Sequence, residues 1–216
     1  MQKIMFNDKY GLTDAVLAKR KTQTRRIITH KEMLEIIKKL DSPASLFLVY
    51  DRFVLNPDLR KRFIDNRRVM RYQMNETVAI AQSYADITPQ VDWVNCMIRK
   101  KEIGWNNKMF VRAEDMPHHI RITKIRIERL QDISEEDCLA EGICPSDQRE
   151  TLWCVAPVND YKCSGLEYDH SILGDGPWHL HPDGKAAYAD LIDHISGKGT
   201  WESNPYVFVY DFESID

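Results

Sequence analysis

The sequence has no long apolar stretch, and its few cysteines form no metal-binding pattern. No apolar run approaches the roughly 20 residues that a helix needs to cross a bilayer, so we expect no membrane partner. The first residues lack the apolar core of a secretion signal. The five cysteines are odd in number and include no C-x-x-C pair. This usage predicts reduced thiols, a cytoplasmic location and no structural zinc.

Basic residues are scarce in the second part of the chain. Residues 130–216 contain only 4 Lys and Arg against 18 Asp and Glu, a net charge of −14. Residues 1–129 contain 26 Lys and Arg against 15 Asp and Glu, a net charge of +11. A basic half favours a polyanionic partner, because each neutralised phosphate releases counterions. The alternative is that the two halves fold against each other and their charges pair internally.

Length and patterning predict a single α+β domain. A chain of 216 residues with 43% hydrophobic content is long enough to bury a real core. Apolar residues at helical spacing, with capping residues at the ends, predict helices at 12–17, 33–40, 134–141 and 183–196. Runs of β-forming residues predict strands at 46–50, 78–84, 120–130 and 205–212.

The strand at 120–130 carries a change of phase. Ile120 and Ile122 alternate in one phase, and Ile125 and Ile127 alternate in the other. Because side chains alternate strictly between the two faces of a strand, the change predicts a bulge or a strong bend near Thr123. Small closed barrels need such bends, so the pattern favours a barrel over a flat sheet.

A dense basic run at residues 18–26 contains two threonines and no acid. Lys21 and Thr24 are three residues apart, which is compatible with a shared site. A charge run of this kind is also typical of a solvated face.

The residues of this run resemble the signature of the ASCH family, Gly-x-Lys-x-x-Thr/Ser-x-Arg. Lys21, Thr24 and Arg26 match it, whereas Lys19 stands where the family has glycine. Segments 107–117, 120–142 and 195–209 are similar to the phage and prophage branch of the family. The resemblance covers about half of the chain and implies a fold similar to the RNA-binding PUA barrel.

The same resemblance indicates where the chain departs from the smallest family members. There the signature leads almost directly into a strand, so residues 29–72 are interpreted as an insertion. Residues 144–182 have no periodic pattern and are interpreted as a functional loop or a second insertion. We therefore predict one ASCH/PUA-like domain over residues 1–216, with a small β-barrel flanked by helices.

The resemblance extends to the N4-acetylcytidine amidohydrolases, which implies a catalytic set of Lys21, Thr24 and Glu141. A lysine acts as a base when burial or neighbouring cations lower its pKa. Beside a neutral amine, the Thr24 hydroxyl is a candidate nucleophile, and Glu141 would orient the lysine or carry protons. Thr24 alternatively serves only to bind the substrate.

Two main interpretations of the function stand. In the preferred one, the cavity binds RNA or a nucleotide, with Arg20, Lys21, Arg25 and Arg26 as the nucleic-acid-binding residues. In the second, the same cavity hydrolyses an acylated nucleoside such as N4-acetylcytidine. A third possibility is a phage accessory protein that acts through protein contacts, for which substitution of Lys21 would be silent. No cofactor and no metal are expected, and the sequence does not determine the oligomeric state.

Overall fold

The computed structural model describes residues 1–40, 46–89, 93–146, 149–155 and 181–216, and it confirms the α+β class. Seven strands are described: β1 (Gln2–Ile4), β2 (Gln23–Ile27), β3 (Thr77–Ile80), β4 (His119–Arg129), β5 (Ile143–Ser146), β6 (Arg149–Val155) and β7 (Tyr206–Ser214).

Helices surround the strands. They are α1 (Leu12–Leu17), α2 (Lys31–Leu40), α3 (Leu46–Leu55), α4 (Pro57–Leu59), α5 (Tyr84–Ile87), α6 (Trp93–Arg99), α7 (Glu135–Ala140), α8 (Gly184–Ser196) and α9 (Thr200–Ser203). Short 3₁₀ turns occur at Asp8–Tyr10, Lys108–Phe110, Ala113–Asp115 and Leu130–Asp132, and a π turn occurs at Arg60–Ile64. None of the described helices has the length and apolar character needed to cross a membrane.

Five strands form one mixed sheet in the order β1-β3-β4-β7-β2. The pair β1–β3 is parallel, and the other pairs are antiparallel. The last strand, β7, therefore lies between β4 and β2. Its pairing with β2 connects the C-terminal part of the chain to the N-terminal part. Strands β5 and β6 form a separate hairpin.

The predicted bulge in β4 is confirmed. The pairing of β4 with β7 shifts register between Ile122 and Lys124, so Thr123 is the extra residue. The shift allows Ile120, Ile122, Ile125 and Ile127 all to be buried, although they alternate in two different phases. These isoleucines belong to the main core, which also includes Met33 and Ile37 of α2, Phe53 of α3 and Leu191 of α8.

Two predictions of local structure are wrong. Residues 46–50 begin helix α3 instead of forming a strand, and α3 lies against β4. The start of the segment predicted to lack regular structure, 144–182, forms most of the β5–β6 hairpin. Residues 156–180 of that segment lie outside the described part of the chain.

The sheet is open, and its edges are β1 and β2. The described residues show no strand pairing between these edges, so the predicted closed barrel is not shown. One hydrogen bond connects the two edges: Arg26 Nη2 of β2 donates to the carbonyl oxygen of Met5, just after β1, at 2.9 Å. A cavity is lined by residues of β2 and by the residues that follow β1.

Candidate functional site

A tight turn between α1 and β2 places Lys21. The carbonyl oxygen of Ala15 accepts the N–H groups of both Arg20 and Lys21 at 2.9 Å. This turn puts Lys19 at φ = 60°, a left-handed conformation that glycine adopts most easily. The position that the sequence comparison predicts to correspond to the glycine of the ASCH signature is thus one where glycine is physically favoured.

Glu141 is brought to Lys21 by the C-terminal end of α7. Helix α7 is capped by Ser134, whose side chain accepts the N–H of Asp137, and Glu141 is its C-cap. Thr22 then donates its backbone N–H to the Ala140 carbonyl oxygen at 2.8 Å, joining the start of β2 to this helix end. Gly142 follows at φ = +95°, and a methyl group added there would lie 3.4 Å from Lys21 Cβ. The close approach fixes the lysine stem against the helix end.

Lys21 and Glu141 form a buried ion pair, a closeness that the sequence did not determine. Lys21 Nζ donates to Glu141 Oε2 at 2.5 Å and to the Glu141 carbonyl oxygen at 2.8 Å. The two residues are only 2% and 4% exposed. Burial lowers the pKa of Lys21; the Glu141 carboxylate opposes this shift, and the charges of Arg26 and Arg25 add to it. The lysine is therefore closer to its neutral form than an exposed lysine.

Arg25 does not face the cavity as a free cation. Its Nη1 donates to Glu141 Oε1 at 3.2 Å and also to Gln23 Oε1. Its Nη2 lies 2.6 Å from Glu128 Oε1 and 2.8 Å from Asp137 Oδ2, and Nε donates to Glu128 Oε1 at 3.2 Å. Burial lowers the pKa of Arg25, but the carboxylates around it outweigh burial and raise the pKa overall. The guanidinium is thus occupied in holding Glu141.

A second layer of charges supports Arg25. Arg126 donates to both oxygens of Asp137 at 3.0 and 2.9 Å, and to both oxygens of Asp211 at 3.1 and 2.9 Å. Arg126 Nε also donates to Glu128 Oε2 at 3.0 Å. Gln23 Nε2 donates to Asp137 at 2.8 Å and to Asp211 at 2.5 Å. This network connects β2, β4, β7 and α7 behind the ion pair.

None of these supporting residues was among the site residues predicted from the sequence. The signal was present in the alternation of β4, where Arg126 and Glu128 lie on the face opposite Ile125 and Ile127. Asp211 is likewise the single charge within the aromatic run of β7. Alternation places such charges on one face, but it does not show which distant residues meet them.

Thr24 and Arg26 lie in the same cavity as the ion pair. The cavity has a volume of about 700 Å³, within the range typical of small-molecule sites. Thr24 is 5% exposed, and its hydroxyl has no hydrogen-bond partner in the described part of the chain. Arg26 and Arg20 are both exposed, but only Arg26 is part of the cavity wall. Five of the six predicted site residues therefore line one cavity: Lys21, Thr24, Arg25, Arg26 and Glu141.

Two lysines hold the rim of the cavity in place. Lys3 of β1 donates to the carbonyl oxygens of Met109 and Val111 at 2.7 and 2.6 Å. Lys108 donates to the Phe6 carbonyl oxygen and to Asp8 Oδ1, each at 2.5 Å. The remaining wall comes from α8, including Tyr188 and Leu191. The cavity is thus bounded by polar groups on one side and by an apolar helix face on the other.

Comparisons of the chain with protein-family models, with curated proteins and with solved structures found no match. The resemblance to the ASCH family therefore stays a prediction that depends on the motifs quoted above.

Proposed function

We propose that this protein hydrolyses an acyl group from the amino group of a nucleoside-type substrate held in the cavity. The observation that carries the proposal is the buried Lys21–Glu141 pair, 2.5 Å apart, in a cavity wall that also contains Thr24. A buried lysine whose pKa is lowered by burial, held by a carboxylate in the wall of a cavity, is a candidate catalytic group. The resemblance to N4-acetylcytidine amidohydrolases suggests N4-acetylcytidine as the first substrate to test.

The proposed reaction uses Thr24 as the nucleophile. Thr24 Oγ1 attacks the acyl carbon while neutral Lys21 accepts the hydroxyl proton. Lys21 then gives this proton to the departing nucleoside nitrogen as the C–N bond breaks, which leaves the acyl group as an ester on Thr24. Water attacks the ester, one of its protons passes through Lys21 to Thr24 Oγ1, and the carboxylic acid is released. Glu141 accepts a hydrogen bond from Lys21 throughout and keeps the amine in place.

Binding of RNA or a nucleotide without turnover is the second candidate function. The surplus of cations over carboxylates in the cavity wall favours an anionic ligand. Direct phosphate contacts from Lys21 and Arg25 are less favourable than the sequence suggested, because both side chains already donate to buried carboxylates. For this reason we favour hydrolysis over binding alone.

The proposal also includes the fold family of the domain. We propose that the open sheet corresponds to the PUA-like barrel of an ASCH domain from the phage or prophage branch, acting in the cytoplasm. The contact of Arg26 with the Met5 carbonyl oxygen supports an approach of the β1 and β2 edges. The left-handed turn at Lys19 supports the assignment of the signature.

The decisive experiment measures release of cytidine and acetate from N4-acetylcytidine by the wild type and by Thr24→Val. Valine keeps the shape of threonine and removes the hydroxyl, so we expect turnover to fall at least 100-fold. The matched control is Thr22→Val, two residues earlier on an exposed position outside this cavity. Equal turnover by Thr24→Val and Thr22→Val would exclude Thr24 as the nucleophile. No turnover by folded wild-type protein would exclude this substrate.

A further inference from the structure

The cavity wall contains more positive than negative side chains. Five cations line it, against the two carboxylates of Asp8 and Glu141: Lys9, Lys21, Arg25, Arg26 and Lys108. A cleft with an excess of one charge raises the local concentration of ligands of the opposite charge. The composition of the wall therefore favours a substrate that is itself anionic.

The cations differ in how many of their donors are already used. Lys21, Arg25 and Lys108 each form an ion pair with a carboxylate. Within the described residues, Lys9 and Arg26 form none. Arg26 donates from Nη2 to the Met5 carbonyl oxygen. Its other N–H groups have no protein partner in the described part of the chain. The excess charge of the cavity is therefore concentrated on Arg26 and Lys9.

Arg26 is also close to the reacting groups. Its charge contributes to lowering the pKa of Lys21, and it lies on β2 two residues after Thr24. Because side chains i and i+2 lie on the same face of a strand, Thr24 and Arg26 share a face of β2. An arginine fork is suited to a phosphate group, since it donates two parallel hydrogen bonds.

We propose that the substrate is a nucleotide and that Arg26 binds its phosphate, with Lys9 adding positive charge at the cavity. This inference rests on the proposed function. It specifies that the nucleoside-type substrate carries a phosphate and is therefore a nucleoside monophosphate. The Arg26–Met5 contact holds the guanidinium in place before the ligand arrives, which reduces the ordering cost of binding.

Calorimetric titration with CMP and with cytidine tests the phosphate site without requiring turnover. We expect the wild type to bind CMP at least ten-fold more tightly than cytidine, and we expect Arg26→Gln to remove this preference. The matched control is Arg20→Gln, which removes an exposed arginine outside the cavity and should keep the preference. Arg26→Lys, which retains the charge but not the fork, should keep part of it. Raising the salt concentration should weaken CMP binding and leave cytidine binding nearly unchanged.

Equal affinity for CMP and cytidine in the wild type, or no binding of CMP, would overturn the proposal. A preference for CMP that survives in folded Arg26→Gln would overturn the role of Arg26. The proposed hydrolysis is judged separately by cytidine release. A CMP preference that depends on Arg26, found without cytidine release, would therefore support the phosphate site while excluding N4-acetylcytidine as the substrate.

Discussion

At the scale of single residues, the two oxygens of the Glu141 carboxylate have different partners. Oε2 accepts from Lys21 at 2.5 Å, and Oε1 accepts from Arg25 at 3.2 Å. Lys21 has no second carboxylate among the ion pairs of the described residues, and its other acceptor is a backbone oxygen. Removal of Lys21 therefore leaves Glu141 paired with Arg25, whereas removal of Glu141 leaves Lys21 without a carboxylate among the described residues.

We predict that Glu141→Gln destabilises the fold more than Lys21→Met. Glu141→Gln leaves a buried lysine without a carboxylate, and breaking a buried pair in this way costs about 3 kcal/mol. Lys21→Met leaves Glu141 paired with Arg25, so its cost should stay below about 1.5 kcal/mol. Urea denaturation at pH 7 measures both, and the double variant should be more stable than Glu141→Gln alone. Equal losses for the two single variants would contradict this asymmetry.

The candidate site was predictable only in part. Lys21, Thr24 and Glu141 were identified through the resemblance, and the structure places them at one cavity. Arg25 and Arg26 were both predicted to bind nucleic acid, but adjacent residues of a strand face opposite sides. Arg25 accordingly meets Glu128, Asp137 and Glu141, which are at least 100 positions away in sequence. No spacing rule within the basic run contains that information.

At the scale of elements, strict alternation was informative and unbroken apolar runs were not. The two-phase pattern of isoleucines located the β4 bulge because a strand has only two faces. Residues 46–50 form an uninterrupted apolar run, and such a run does not distinguish a buried strand from a helix. The segment forms a helix that packs against β4, and β4 is too distant in the sequence for this contact to be predicted from the run itself.

The turn before β2 provides a prediction at this scale. Lys19 has φ = 60°, where a side chain costs roughly 1–2 kcal/mol, whereas glycine costs about 0.5–1 kcal/mol through its freedom in the unfolded chain. We expect Lys19→Gly to stabilise the protein by about 0.5 kcal/mol.

The neighbouring Arg20→Gly is the control for this turn. Arg20 does not have a positive φ, so glycine there should destabilise by about 0.5–1 kcal/mol. Midpoints of urea denaturation compare the two variants. A loss of stability at Lys19→Gly equal to that at Arg20→Gly would show that the left-handed turn carries no strain.

At the scale of the whole molecule, the two oppositely charged halves of the chain meet in the sheet. Strand β7 belongs to the acidic half and lies between β4 and β2 of the basic half. Ion pairs cross the division: Lys21–Glu141, Arg25–Asp137, Arg25–Glu141, Arg126–Asp137, Arg126–Asp211 and Arg121–Glu213. Part of the charge polarity therefore serves internal pairing, the alternative that the sequence had left open.

Asp137 gives this pairing a dependence on pH. Burial raises the pKa of Asp137, but the hydrogen bond from Gln23 and the charges of Arg25 and Arg126 outweigh burial and lower the pKa overall. A carboxyl whose folded pKa is below its unfolded value, about 3.9, stabilises the fold above that value. The stabilisation is lost as the pH falls from about 4 through the folded pKa.

We therefore predict that Asp137→Asn costs about 2 kcal/mol at pH 7 and progressively less below pH 4, because the wild-type carboxyl becomes neutral there as well. Free energies of unfolding at pH 7, 5, 4 and 3 measure the difference between the two proteins. Asp51→Asn is the control, since Asp51 is exposed and forms no ion pair with any described residue; its effect should be small at every pH. If the gap between wild type and Asp137→Asn stays constant from pH 7 to pH 3, the ionised form of Asp137 does not hold the two halves together. A gap that closes would show that the ionised carboxylate of Asp137 is one of the groups that hold the acidic and basic halves of the chain together.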